Sequence, residues 1–327
     1  GFNTLNINKV PLGAMLSSNN GGQDPNNLPC VGSLCNGDQF RPLLGYQDLY
    51  VANNNAYSNY NALQVTWLRT KGRYDINLNY TYGKAMGIVG FYDQFNLNNN
   101  YGVLPSNRTH IFNAAYHIDL PNPARSKLAG QFVNGWQLSG ITQLESGADL
   151  SGYRGQNFGM NLNGAKIPTA AFDCVNGDPK SAEYEANCFN ISSVSLLGTP
   201  DIQLSPLITC NPRSGLGAHQ FINPNCFAAP TAVGQNGPTV IPPIYGPAFF
   251  NWDLGVFKSF RITEAKTFEF RIDGYNFMNH SLWSFPNQEN LNLGFDKNTL
   301  ALNTPTFGIA THKQGHRIIQ MQFKFIF

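Results

Sequence analysis

Three small groups of residues have types and spacings from which chemistry could be built. Glu269, Arg271 and Asp273 alternate along FEFRID and, on a strand, would project to one face at intervals of about 7 Å. That row could do acid–base work, but carboxylate, guanidinium and carboxylate in succession better suit a charge ladder pairing with neighbouring strands. His312 and His316 are four apart, yet Gly315 and loop-like surroundings deny them the helix that would bring two imidazoles onto one metal. DQFNLNNN, starting at Asp93, holds one carboxylate, too few for a calcium loop. No Walker loop, HExxH, GxSxG or dinucleotide fingerprint occurs. The expectation is a non-enzymatic protein with no metal and no cofactor.

The six cysteines fall as local pairs, Cys30 with Cys35, Cys174 with Cys188, and Cys210 with Cys226, each in a segment rich in Gly, Pro and Asn. Their spacings do not match zinc sites. They read as loop-closing disulfides of an oxidising compartment, with connectivity left open.

The elements that must carry these residues follow from composition and period. Of 327 residues only 12% are charged, against about 25% in ordinary soluble proteins. Aromatic residues make 13%, and there are 32 Gly and 20 Pro; a disordered chain would be poor in rings and rich in charge. The net charge of +2, without a basic run, excludes a nucleic-acid partner. No apolar stretch is long enough for a membrane helix, and Gly1 to Val10 lacks the basic start and apolar core of a secretory signal. An all-β protein in water or a β-barrel in lipid remains.

Period-2 alternation runs through seven segments. Tyr60 to Thr70 and the run from Arg73 form a hairpin about Lys71 and Gly72, the second strand setting Tyr74, Ile76, Leu78, Tyr80 and Tyr82 against Asp75, Asn77, Asn79 and Thr81. A third strand covers about Asn107 to Asp119. A fourth, read as one long strand bulged near Ser146 and Gly147, runs from Gln131 to about Gly155 and sets Trp136, Leu138 and Leu144 against Gln137, Gln143 and Glu145. The fifth, Phe250 to Arg261, carries Trp252, Leu254 and Val256. The sixth, Lys266 to Asn279, sets Phe268, Phe270 and Ile272 against Glu269, Arg271 and Asp273. The last, Gly315 to Phe327, sets Met321, Phe323, Phe325 and Phe327 against Gln320, Gln322 and Lys324.

Each run is long enough to cross a bilayer at the usual tilt. Long and short connections alternate, as in membrane barrels with short periplasmic turns and long outer loops. Residues 1–59 then read as an outer loop region, 60–327 as barrel strands, and 156–249 as a long outer loop bearing disulfides. The polar rows would face a lumen. Tyr74, Tyr80, Tyr82, Trp136, Trp252, Phe268, Phe270, Phe323 and Phe325 would face lipid or form interfacial girdles. Seven strands pose a difficulty, because two open edges in hydrocarbon would leave many unpaired backbone groups, a cost on the order of tens of kcal/mol. Strands are therefore to be sought elsewhere in the chain or in a larger barrel.

The stretches YNALQVTWLRTKGRYDINLNYTYGKAM, NGWQLSGITQLESGADL, FINPNCFAAP, GPAFFNWDLGVFKSF, FEFRIDGYNFMNH and RIIQMQFKFIF resemble, in order, the C-terminal barrel portion of Oar-like TonB-dependent receptors. The resemblance spans about Tyr60 to Phe327. It implies an antiparallel transmembrane barrel of about 22 strands, of which this chain would be roughly the last third, cut within an outer loop. It also implies uptake of a scarce solute with energy relayed by the TonB system through an N-terminal plug that these residues do not include. The terminal Phe327 resembles the signal read by the outer-membrane assembly machinery. Expected partners are outer-membrane lipid, that machinery, the TonB system and an unidentified solute. Two other readings stay open: a small self-contained barrel acting as an adhesin, and a secreted, disulfide-stapled β-sandwich that binds glycans.

Overall fold

The computed structural model describes residues 3–16, 37–150, 160–162, 166–168, 181, 188–285, 291–296 and 299–327. Its frame is one antiparallel sheet of seven long strands: β1 Ser58–Lys71, β2 Tyr74–Ile88, β3 His110–Asp119, β4 Trp136–Glu145, β5 Phe249–Arg261, β6 Thr267–Tyr275 and β7 Ile318–Ile326. Each strand pairs with its sequence neighbour, giving the spatial order β1 to β7, and the short segment Tyr101–Val103 adds to the far end of β2. Such a meander needs only local pairing, and every strand has at least nine residues, well beyond the five or six usual in globular sheets.

Turn chemistry places the strand ends. Gly72, at φ 75°, supplies the left-handed position that lets β1 fold back onto β2 in register from Lys71 and Tyr74. Residues 262–266 make the other tight turn, with Ile262 N donating to the Lys266 carbonyl at 2.9 Å. The fourth segment differs from the single bulged strand expected. Its first part is a helix, α1, Lys127–Val133, capped by the Ser126 side chain accepting from Ala129 N, and the strand proper ends at Glu145. The reason for that end is steric: a Cβ on Gly147 would lie 1.9 Å from the Gly246 carbonyl oxygen, so two loop backbones cross in contact where the bulge was expected. Residues 151–155 of that expected strand lie outside the described residues. Likewise β6 stops at Tyr275, because Asn276 and Asn279 adopt positive φ.

The alternation of connections is reproduced in space. The turn at 72–73, the linker 120–135 and the turn 262–266 lie at one end of the sheet, while 89–109, 146–248 and 276–317 all leave from the other. The long segments do not dangle. Leu150, Ile222, Phe227, Ile241, Ile244, Leu293, Phe295 and Phe307 from two of these loops form a common core, and among the described buried hydrophobic residues Ala114 alone belongs to a long strand. Among the described residues the dry interior is therefore in this cap, not on the sheet.

The N-terminal segment joins the cap through a hairpin of Asn3–Asn6 with Tyr50–Asn53 and a buried polar cluster. Arg41, 8% exposed, pairs with Asp38 at 2.8 Å and Asp48 at 2.6 Å and donates to the Asn8 carbonyl. Burial pulls its pKa down, but the hydrogen bond to Asp38 and the charges of Asp48 and Asp201 outweigh burial and hold the guanidinium above its already high range. Asn6 donates to both Asp48 and Asp201, and Asp201 accepts from Val10 N. The N-terminal segment is thus tied to the loop around Asp201 by charge-assisted hydrogen bonds as well as by the buried side chains of Val10 and Met15.

Arg41→Met leaves Asp38, Asp48 and Asp201 without their cation and should cost about 1–3 kcal/mol, discounted for the partial exposure of Asp38 and Asp48. The expected readout is faster chymotryptic cleavage near Phe40 to Tyr50 with unchanged heat-modifiable gel mobility of the sheet. Gly147→Ala forces the crossing backbones apart and should lower the stability of the cap by about 2 kcal/mol or more, measured by denaturant titration of cap fluorescence.

Candidate functional site: a two-faced wall beneath a loop cap

Because the register is unbroken, faces can be followed across the whole sheet. Leu78 of β2 lies opposite Ala114 of β3, Ala114 opposite Thr142, Thr142 opposite Trp252, Leu254 opposite Gly274 and Gly274 opposite Ile319. The same ladders place Tyr74, Tyr80, Tyr82, Trp136, Trp252, Phe268, Phe270, Phe323 and Phe325 on this one face. No second sheet of the described residues covers it: Trp67, Tyr82, Met321, Phe323 and Phe325 are all exposed.

Rings cluster at both ends of that face. Toward the loops, Tyr80 and Tyr82 lie against His110, Phe250 against His280 and Trp252 against Phe277. Toward the short turns, Trp136, Phe260, Phe268, Phe270 and Phe323 form a chain of ring contacts, and Phe325 stacks on Phe327, which is 90% exposed. Aliphatic side chains such as Leu78, Ala114, Leu138, Val256 and Ile272 occupy the band between. Tyr116 lies across Gly140, where a Cβ would sit 2.3 Å from its hydroxyl, and accepts a hydrogen bond from Trp252 Nε1. Here a glycine makes room for a ring that fixes three strands together.

The opposite face collects Asp75, Asn77, Asn79, Gln137, Gln143, Glu145, Glu269, Arg271, Asp273, Gln320, Gln322 and Lys324. It is concave: a cavity of about 510 Å³ spans six strands and is lined by Asp75, Asn77, His117, Ser139, Asp253 and Arg271 among others. Its charges are largely satisfied by one another. Arg271 Nε donates to both oxygens of Asp273 at 3.0 and 2.8 Å, Lys324 pairs with Glu269 across the strands at 3.8 Å, and Gln137 donates to Asp119 at 2.9 Å. Thr66, Asn79 and Asn77 form a hydrogen-bonded row. This is a ladder of mutually paired groups, with no nucleophile held against a base among the described residues.

A second cavity, about 480 Å³, lies where the strands meet the cap, between the Arg108–Glu145 pair and the rings of Trp283 and Phe285. Trp283 stacks on His219 with ring centroids 3.8 Å apart. Alternation could not find this place, since Trp283 lies in a three-residue strand inside a loop. His117 and Ser139 lie on the polar face, as the alternation of the third and fourth runs sets them, and Asp253, which it did not mark, joins them by register. His312 sits in a short strand paired with 282–284, and His316 lies beyond Gly315, outside that strand. Among the described residues no group of three or more His, Cys, Asp or Glu is arranged to hold a metal ion.

Cys210 and Cys226 form a disulfide with Cα atoms 4.8 Å apart, closing a loop of the cap. Cys30, Cys35 and Cys174 lie outside the described residues, as does the side chain of Cys188.

The edges of the sheet bear on what it can be. Among the described residues β1 and β7 each have one neighbour and do not pair with each other, and every residue of both is exposed. No curated protein and no solved structure matches the chain. A family profile described as an outer membrane beta barrel domain matches residues 3–320, nearly the whole length, taking in the first six long strands and the start of β7. Long antiparallel strands, an exposed apolar face banded by rings, a polar concave face and that match together place the chain in the outer membrane beta barrel domain family, a protein of the bacterial outer membrane.

Proposed function

We propose that this sheet is a section of the wall of a larger barrel, a receptor of the TonB-dependent, Oar-like kind that admits a scarce solute and performs no catalysis. The observation that carries the reading is the pair of long edges, unpaired among the described residues, on a sheet whose apolar face runs across all seven strands. In hydrocarbon each bare edge would cost several kcal/mol per unpaired group, so β1 and β7 take further strands as partners. The aromatic bands at either end of the apolar face then lie at the two interfaces of the bilayer. The polar row from Asp75 to Lys324 lines the lumen, the cap forms the outer vestibule, and Phe327 is presented to the assembly machinery. The order of six stretches along the chain supports the receptor assignment, and energy coupling would run through a plug that these residues do not include.

A self-contained adhesin barrel would need β1 and β7 to close on each other. A secreted sandwich would need a second sheet over Phe323 and its neighbours, and it does not accord with an outer-membrane family.

Membrane orientation is read by tryptophan. Trp67, Trp136 and Trp252 are on the apolar face and Trp283 is in the cap. In vesicles of brominated phosphatidylcholine the Trp283→Phe protein should be strongly quenched, whereas a protein retaining only Trp283 should keep its emission; the reverse pattern would refute the outward apolar face. The receptor reading is tested in native outer membranes by immunoblot against cap residues 207–248. A polypeptide much larger than 36.1 kDa, whose deletion and a deletion of the energy-coupling protein give the same growth defect, is expected. A band at the mass of this chain alone, forming steady unitary pores in planar bilayers, would favour the self-contained barrel.

A further inference from the structure

A buried cation interrupts the apolar face, which also carries Arg69 and Lys84 toward the ends of β1 and β2. Lys258 occupies the outward row of β5, opposite Trp136 on one side and Phe270 on the other, yet is only 4% exposed. Its ammonium donates to the carbonyl of Asn134, the residue that ends α1, and lies 5.1 Å from the centre of the Phe260 ring. Among the described residues no carboxylate comes within ion-pairing distance of it. An ammonium has three donors, so a buried cation beside one carbonyl and one ring lacks an anion.

The surroundings say which anion. Helix α1 lies on the same outward face, with Phe132 edge-on to Phe260 and Trp136 Nε1 donating to the Phe132 carbonyl at 2.7 Å. It leaves Leu128 75% and Phe132 66% exposed, and Ile262 across from it is 59% exposed. Between α1 and the β5–β6 turn runs a groove of about 850 Å³ lined by Lys127, Phe132, Lys258, Phe260, Arg261 and Ile262, with Glu264 its one acidic residue. Three cations against one carboxylate, flanked by exposed apolar side chains at one end of the aromatic band, match a group that is anionic at its head and apolar in its tail.

We propose that this groove binds one phospholipid of the periplasmic leaflet, its phosphate diester held by Lys258, Lys127 and Arg261 and its acyl chains lying along Phe132, Leu128 and the outward face. The inference rests on the outward orientation of the apolar face. The groove is continuous with that face, and its net positive charge complements an anionic headgroup; a peptide or a free phosphate would use only one half of the site.

The test is native mass spectrometry of the intact protein carrying this chain, extracted from outer membranes in mild detergent and exchanged against phosphatidylglycerol. One retained lipid per protein is expected. Lys127→Ala with Arg261→Ala, both near the surface, should weaken retention about tenfold, and Lys258→Met should abolish it while heat-modifiable mobility persists. Retention unchanged in the double variant, no stoichiometric lipid on the wild type, or displacement of the lipid by millimolar inorganic phosphate would overturn the proposal. Brominated-lipid quenching of Trp67 and Trp252 on the same samples separates the two failures: quenching without a retained lipid rejects the groove alone, while absence of quenching rejects the outward orientation beneath it.

Discussion

The backbone hydrogen bond across an unbroken register is the interaction on which everything else here depends. Where water is absent, each N–H and C=O must find a partner within the protein, and seven strands of nine or more residues do so, save along the outer edges of β1 and β7, by pairing each with its neighbour in the sequence. That continuity lets two-residue alternation act across the sheet as a whole. One slip of a single residue anywhere would carry every ring beyond it to the polar side. Gly140 beneath Tyr116 and the Trp252–Tyr116 hydrogen bond pin the register at mid-sheet, where both faces are otherwise built from small contacts.

The distribution of burial follows from the same constraint. A soluble domain stacks a second layer on its sheet and buries its large side chains there. Here the described residues leave the apolar face of the sheet open except where α1 folds over β5, and the tightly packed interior is assembled from loops at one end. The cap is held by means suited to irregular chain: a loop-closing disulfide at Cys210–Cys226, a crossing of Gly147 under Gly246, and the Arg41 cluster that binds the N-terminal segment to the loop at Asp201. The two parts therefore answer to different forces, the sheet to backbone pairing and the cap to apolar burial and charge-assisted hydrogen bonds.

Much of the sheet was legible because its signal is local. The run from Tyr74 to Tyr82 states its own faces, and the spacing of turns supplies the order of the strands. Legibility failed where two segments distant in sequence meet. The stretch from Gln131 to Gly155 reads as one strand, yet α1 forms at its start because Ser126 caps a helix, and the strand stops at Glu145 because a loop a hundred residues later crosses it. Lys258 looks like a misplaced polar residue in WDLGVFKSF. Its surroundings appear only when α1 folds over β5 and offers the Asn134 carbonyl. Trp283 and His219 likewise meet through the packing of two loops.

By itself, then, the sequence determined the extended segments, the side of each residue and the alternation of long and short connections, since these depend on the period of the pleat and on turn residues within a few positions. Only the tertiary structure decided that the alternating sides join into two faces running across the sheet, that the long loops share a core, that the polar side is concave, and that a lysine is buried on the apolar side. Each of these is a contact between segments far apart along the chain, fixed by how surfaces fit once the strands have paired, and no local pattern encodes that fit.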